Sequence, residues 1–237
     1  MAIRPPHGRA ELCKTHLWRE AMTESYAAQV PGLLEHLKTL VPSELLDLFG
    51  GEAEALGLVD FAARAVKAGD TAPAFTLPDQ TGRKVSLAES LARGSVVLTF
   101  YRGGWCPYCN LQLRSYQQSL GEFRALGAQL IAISPQTPDH SLSTAEKNEL
   151  EFSVLSDEGN TTARAFGLLF EVDEAMRETY LQVGSDPLAY NGGDRRSWEL
   201  PAPATYVINP DGRILFAQVH GDYRRRTEPA EIIQALR

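Results

Sequence analysis

Cysteine is scarce in this chain, with three residues in 237. So few thiols, in odd number, exclude a small secreted scaffold held by disulfides. Long apolar runs are missing too: no stretch reaches the roughly 18 residues of a membrane-spanning helix. The opening Met1 to Pro6 carries no apolar core of the kind a secretion signal has. Positive charge is in deficit, since 23 Lys and Arg against 30 Asp and Glu leave −7 at pH 7. A net anion does not hold nucleic acid or acidic lipid through its overall field, so neither nucleic acid nor membrane is expected as a partner. Neither a phosphate-cradling loop nor a Gly-rich dinucleotide fingerprint occurs, and no cofactor is expected. The expected location is cytoplasmic. In that reducing compartment a close cysteine pair is catalytic or metal-binding rather than structural.

What is present divides into two patterns. Residues 1–68 read as a helical extension. Trp18, Met22, Tyr26 and Val30 recur every fourth position, and Leu33, Leu34, Leu37, Leu40 and Val41 share one helical face. Ala55 to Val66 repeats that face, Pro31, Pro42 and Gly50-Gly51 punctuate the run, Ser43 suits an N-cap, and Gly69 would close the last helix. From residue 69 to 237 short apolar runs alternate with helical segments. Strands are expected at Val96–Tyr101, Leu130–Ile133, Phe152–Leu155, Thr205–Ile208 and Ile214–Val219. Helices are expected near Pro107–Leu126, Pro138–Leu150, Thr161–Phe166 and, capped by Thr227, Glu228–Leu236. Strands alternating with helices give an α/β fold with a largely parallel sheet, ending in a hairpin at Asn209-Pro210-Asp211-Gly212. Gly184 to Pro201 reads as a long loop, and Arg224-Arg225-Arg226 as a solvated run before the last helix.

The strongest chemical signal is Cys106-Pro107-Tyr108-Cys109, at a strand-to-helix junction. Proline suits the first helical position, which makes Cys106 the N-cap. A thiolate there meets unpaired backbone N–H groups and the positive end of the helix, and both favour ionisation. Cys109 shares that helix edge, so the two thiols can cycle with a disulfide. Arg102 is placed to hold a thiolate or polarise a substrate, with a surface arginine as its bland alternative. Trp105 shields the pair or contacts substrate. Pro203, at the start of a strand, either takes the cis form and helps present the preceding backbone groups to a substrate chain or is a trans proline that ends the preceding loop. A competing reading groups Cys13 and His16 with Cys106 and Cys109 as a zinc site. His220, near Asp222 and Tyr223, is a weaker candidate base.

From Lys67 onward the sequence resembles the peroxiredoxin, or alkyl hydroperoxide reductase and thiol-specific antioxidant, family of the thioredoxin superfamily. The resemblance rests on Gly69 to Gly82, Leu98 to Tyr101, Leu155-Ser156-Asp157 with Ala165 to Leu168, and Thr205 to Gly212. It implies a thioredoxin-like fold of peroxiredoxin type. The family's Pro-x-x-x-Thr-x-x-Cys pattern places its attacking cysteine on Cys109, while its Thr falls on Cys106, its Pro on Arg102 and its late arginine on Pro203. The subgroup with an RGxWCPYC motif fits better, here Arg102 to Cys109. The implied activity is reduction of hydrogen peroxide or organic hydroperoxides through a Cys106/Cys109 disulfide, recycled by a thioredoxin or glutaredoxin system. Alignment makes Cys109 the attacking thiolate. Helix-end physics instead favours Cys106 as the more exposed thiolate. Disulfide exchange without peroxidase activity is the alternative. The Leu-rich face of the extension is expected to cover the domain or to pair two copies in a homodimer.

Overall fold

The computed structural model describes residues 25–237, so Cys13, His16, Trp18 and Met22 lie outside the described residues. The extension supplies α1 (Tyr26–Leu40) and α2 (Ser43–Gly57). Pro31 lies inside α1 rather than at its end, and Gly50-Gly51 lies inside α2. Packing overrides these breakers: Val30, Leu33, Leu37, Ala53 and Leu56 all lie in or against one core cluster. Helix α2 therefore stops at Gly57, not Val66, and Ser43 is its first residue rather than its cap. Beyond it a single 3₁₀ turn, Phe61–Ala63, buries Phe61. Gly69 sits in a turn and closes no helix.

The remainder runs β1 (Thr76–Pro78), β2 (Lys84–Ser86), α3 (Leu87–Leu91), β3 (Ser95–Phe100), α4 (Pro107–Gln118), α5 (Leu120–Ala125), β4 (Ala128–Ser134), α6 (Pro138–Lys147), β5 (Ser153–Ser156), α7 (Thr161–Ala165), β6 (Leu169–Glu171), α8 (Glu174–Gln182), α9 (Pro187–Tyr190), β7 (Glu199–Pro201), β8 (Ala204–Ile208), β9 (Ile214–Val219) and α10 (Pro229–Leu236). The main sheet has the order β5-β4-β3-β8-β9. It is mixed rather than largely parallel: β4 pairs in parallel with β3 and β5, while β8 pairs antiparallel with β3 and β9. The β8–β9 pair is antiparallel because the turn at Asn209 to Gly212 joins the two strands directly.

Both faces of the sheet are covered, so its strands are apolar throughout rather than alternating in polarity. The two-residue period still sorts the side chains. Val97, Leu130, Ala132, Val154 and Val207 join the cysteine pair, α4 and the extension on one face. Val96, Leu98, Phe100, Ile131, Ile133 and Tyr206 meet Phe75, Leu87 and Phe166 on the other. The peroxiredoxin-type thioredoxin fold expected from the sequence is thus formed. The segment read as a loop is in fact ordered, since β7 pairs with β6 and a third cluster joins Val172, Tyr180, Trp198 and Leu200. Helix α10 is capped by Glu228, not Thr227, through a reciprocal pair with Glu231. Among the described residues, no helix is long and apolar enough to cross a membrane.

Candidate active site

Strand β3 delivers Tyr101 and Arg102 to its end, and the chain turns through Gly103-Gly104-Trp105 into α4. Close packing makes Gly104 necessary there, because a Cβ on it would stand 2.3 Å from Thr144 Oγ1. The Gly104 N–H donates to Gln136 Oε1 at 2.7 Å, and Asn110 Nδ2 donates to the Gly104 carbonyl at 2.7 Å. As the spelling of the motif predicts, Cys106 is the N-cap of α4 and Pro107 occupies its first turn.

The expected difference in exposure between the thiols is not found. Cys106 is 1% exposed and Cys109 0%, and neither is in a disulfide. Electrostatics separates them instead. Burial opposes ionisation of Cys109. The Cys106 thiol's hydrogen bond, the guanidinium groups of Arg226 and Arg102, and the Arg102 backbone N–H outweigh it and hold Cys109 well below the usual thiol range. Cys106 moves the opposite way: burial, then the hydrogen bond and charge of Cys109, push it up more than the two arginines pull it down. Of the two thiols, Cys109 is thus the one whose surroundings favour ionisation. These surroundings pull against the preference for Cys106 drawn from the helix end alone.

Arg226 is the residue that sequence reasoning missed. The run Arg224-Arg225-Arg226 is expected to be solvated, yet Arg226 is 6% exposed, and its Nη2 lies 3.3 Å from Cys109 Sγ. Gln112 Oε1 accepts from its Nε at 2.8 Å, and the carbonyls of Tyr223 and Arg225 accept from Nη1. Gln112 is fixed in turn by donating to Tyr116 Oη at 3.0 Å. The arginine at Cys109 therefore comes from the segment between β9 and α10, whereas the family pattern places its late arginine on Pro203. No local pattern distinguishes Arg226 from Arg224 or Arg225; only the tertiary fold turns it inward.

Arg102 is not a surface residue. It is 2% exposed, with Nη1 4.0 Å from Cys106 Sγ and Nη2 donating to Tyr180 Oη. Its Cζ stands 3.8 Å from the ring centre of Tyr223, 5.0 Å from Trp105 and 5.5 Å from Tyr180. These ring faces stabilise a desolvated cation by about 2 kcal/mol or more. Burial disfavours its charge, but Tyr180, Cys106, Tyr223 and Glu52 more than compensate and keep it protonated. Tyr180 and Tyr223 come from the stretches after β6 and β9, and Glu52 from α2. None was singled out as a site residue.

The structure brings Arg102, Trp105, Cys106 and Cys109 together. Pro203 is buried one residue before β8, and its peptide bond is trans. Its carbonyl accepts from the His220 N–H at 2.9 Å, and the Ala202 N–H donates to Leu168 at 2.9 Å. The zinc reading requires Cys13 and His16, which lie outside the described residues; among the described residues no three His, Cys, Asp or Glu side chains converge on a metal position. His220 is pushed down to about 4 by burial and by Arg226 and Arg225, so it is neutral at neutral pH.

Residues 68–217 match the model of the AhpC/TSA family. The chain is 35% identical over 130 residues to a chloroplastic peroxiredoxin Q of Sedum lineare, covering 53% of this chain and 69% of that one. It is 31% identical over 150 residues to a putative peroxiredoxin of Mycobacterium tuberculosis, covering 63% of this chain and 83% of that one. Among solved structures it resembles peroxidoxin BcpB of Mycobacterium tuberculosis, with a TM-score of 0.56 and 24% identity over 72% of this chain and 96% of that one.

Proposed function

The chain belongs to the AhpC/TSA family, and from that membership we propose that its thiol-dependent reduction of hydroperoxides uses Cys109 as the attacking thiolate and Cys106 as the resolving thiol. The observation that carries the assignment is the Arg226 guanidinium, 3.3 Å from Cys109 Sγ, together with the hydrogen bond from Cys106. A thiolate so held is nucleophilic at neutral pH.

The Cys109 thiolate attacks one peroxide oxygen. The O–O bond breaks, Cys109 becomes a sulfenic acid, and the departing alkoxide or hydroxide takes a proton to leave as alcohol or water. Cys106 then attacks the sulfenic sulfur, forming the disulfide and releasing water. A thioredoxin-type dithiol reduces that disulfide through a mixed disulfide and is itself oxidised. A glutaredoxin system is a further candidate reductant. Arg102 accompanies Cys106, Trp105 shields the pair on the substrate side, and Pro203 forms part of the wall where β8 begins. The same reading keeps residues 1–68 as an extension of a 69–237 domain, a homodimer as the assembly, and the cytoplasm as the location.

Stopped-flow oxidation by hydrogen peroxide and by an organic hydroperoxide, with mass spectrometry of the products, tests the assignment. Cys106→Ser should react and retain a sulfenic acid on Cys109, while Cys109→Ser should be inert. Oxidation of Cys109→Ser at the wild-type rate, with Cys106→Ser inert, would reverse the roles.

A further inference from the structure

The extension does more than cover the sheet, because it places one carboxylate at the thiol site. Helix α2 docks closely against the 220s segment: a Cβ on Gly221 would stand 2.2 Å from the Leu56 carbonyl oxygen. With Ala53 fully buried beside it, Glu52 turns its Oε2 to two hydroxyls. Tyr180 donates to it at 2.7 Å and Tyr223 at 2.9 Å. Tyr180 accepts in turn from Arg102 Nη2, and Tyr223 presents its ring face to the same guanidinium. Among the described residues Arg102 makes no direct ion pair with a carboxylate. A buried cation needs a compensating anion, and Glu52 serves at one hydroxyl's remove.

We propose that Glu52 is a positioning residue for the resolving half of the reaction: through Tyr180 and Tyr223 it fixes Arg102 beside Cys106, so that the helical extension is part of the catalytic unit. The two arginines then carry unequal shares of the two steps, since Arg102 also lowers the Cys109 thiol but less than Arg226 does. Arg226 serves the thiolate that attacks peroxide. Arg102, 4.0 Å from Cys106 Sγ, serves the negative charge that develops on Cys106 as it surrenders its proton and attacks the Cys109 sulfenic acid. One S–S bond forms, one S–O bond breaks, and the hydroxyl leaves as water with the thiol proton. Without the carboxylate the Tyr180 hydroxyl has no anion to donate to, and the guanidinium loses the geometry that aims it at sulfur.

This inference rests on the assignment of Cys109 as the attacking thiolate. The test uses the full chain and hydrogen peroxide, with intrinsic tryptophan fluorescence followed in a stopped-flow instrument. Oxidation gives a phase whose rate rises with peroxide concentration, and resolution gives a phase that does not. Glu52→Ala should slow the second phase by about tenfold, inside the roughly hundredfold that an ångström of misplacement costs, and the first phase by clearly less, because Arg226 stays in contact with Cys109. Glu52→Gln, which keeps an acceptor oxygen, should recover part of the loss. If Glu52→Ala does not fold, Tyr180→Phe removes a single oxygen and carries the same expectation. A second phase at the wild-type rate, or two phases slowed equally alongside a lowered melting temperature, would overturn the role of Glu52 alone. Inert Cys106→Ser alongside fully reactive Cys109→Ser would instead remove the assignment beneath it, and this proposal with it.

Discussion

Replacing Arg226 by glutamine isolates the charge that the fold brings to Cys109. At the observed 3.3 Å, two unit charges in an effective dielectric of about 20 attract by about 5 kcal/mol. The guanidinium also donates to Gln112, Tyr223 and Arg225, so roughly half of that, about 2.5 kcal/mol, is assigned to the thiolate. At a factor of ten per 1.36 kcal/mol, the thiolate population at neutral pH falls by as much as about 70-fold. The remaining thiolate is more basic, and with a Brønsted coefficient of about 0.4–0.5 it attacks about sevenfold faster. The net expectation is oxidation about tenfold slower at neutral pH and about sevenfold faster once the variant is fully ionised. The rate–pH profiles of parent and variant should therefore cross. A Cys106→Ser background leaves one thiol of the pair to titrate, so ultraviolet absorbance of the thiolate and stopped-flow rates can be read on the same sample from about pH 5 to about pH 10. Loss of a buried donor to Gln112 and Tyr223 also costs about 1–3 kcal/mol of stability, so melting temperature is measured in parallel. Superimposable pH profiles, with or without a stability loss, would refute the reasoning.

Two further predictions concern the structure around the site. His220 has a lower pKa folded than unfolded, so between its ordinary value and about 4 the unfolded chain binds more protons. Stability from this residue is therefore present above that window and lost as pH falls through it; His220→Gln should lose less stability on acidification, and parallel melting-temperature curves against pH would contradict this. Glu228 caps two helices, accepting from the N–H groups of Tyr26 at 2.9 Å and Ala27 at 2.8 Å while closing the start of α10. Glu228→Ala should cost about 1–2 kcal/mol for each cap lost and speed alkylation of Cys106 and Cys109 by a small reagent, because α1 covers them; unchanged alkylation would show that the cover does not depend on this anchor.

The legible part of the site was its local part. Cys106 as N-cap and Pro107 in the first turn follow from the order of four residues, since helix-end chemistry acts within one turn. Strands β3, β4, β8 and β9 stand within two residues of their expected ends because fully buried strands are short apolar runs whatever surrounds them. Helix breaks were harder to read. Pro31 and Gly50-Gly51 are weak local costs that a buried face overcomes. The 168–201 segment was illegible for the opposite reason: β6 and β7 are three residues each and exist only by pairing with one another.

By itself the sequence determined that an α/β chain carries two cysteines at a strand-to-helix junction, because apolar period and turn chemistry are local properties, while the thioredoxin-like frame was implied by resemblance. What only the tertiary structure decided is the set of charged groups around the two sulfurs. A helix N-terminus favours Cys106 from a distance of one residue, but inside a buried site the outcome depends on which full charges reach which sulfur. Arg226, from beyond β9, reaches Cys109. Glu52, from α2, reaches the tyrosines that hold Arg102. These contacts join residues more than one hundred positions apart, and their strength comes from the low dielectric that only the closed fold creates.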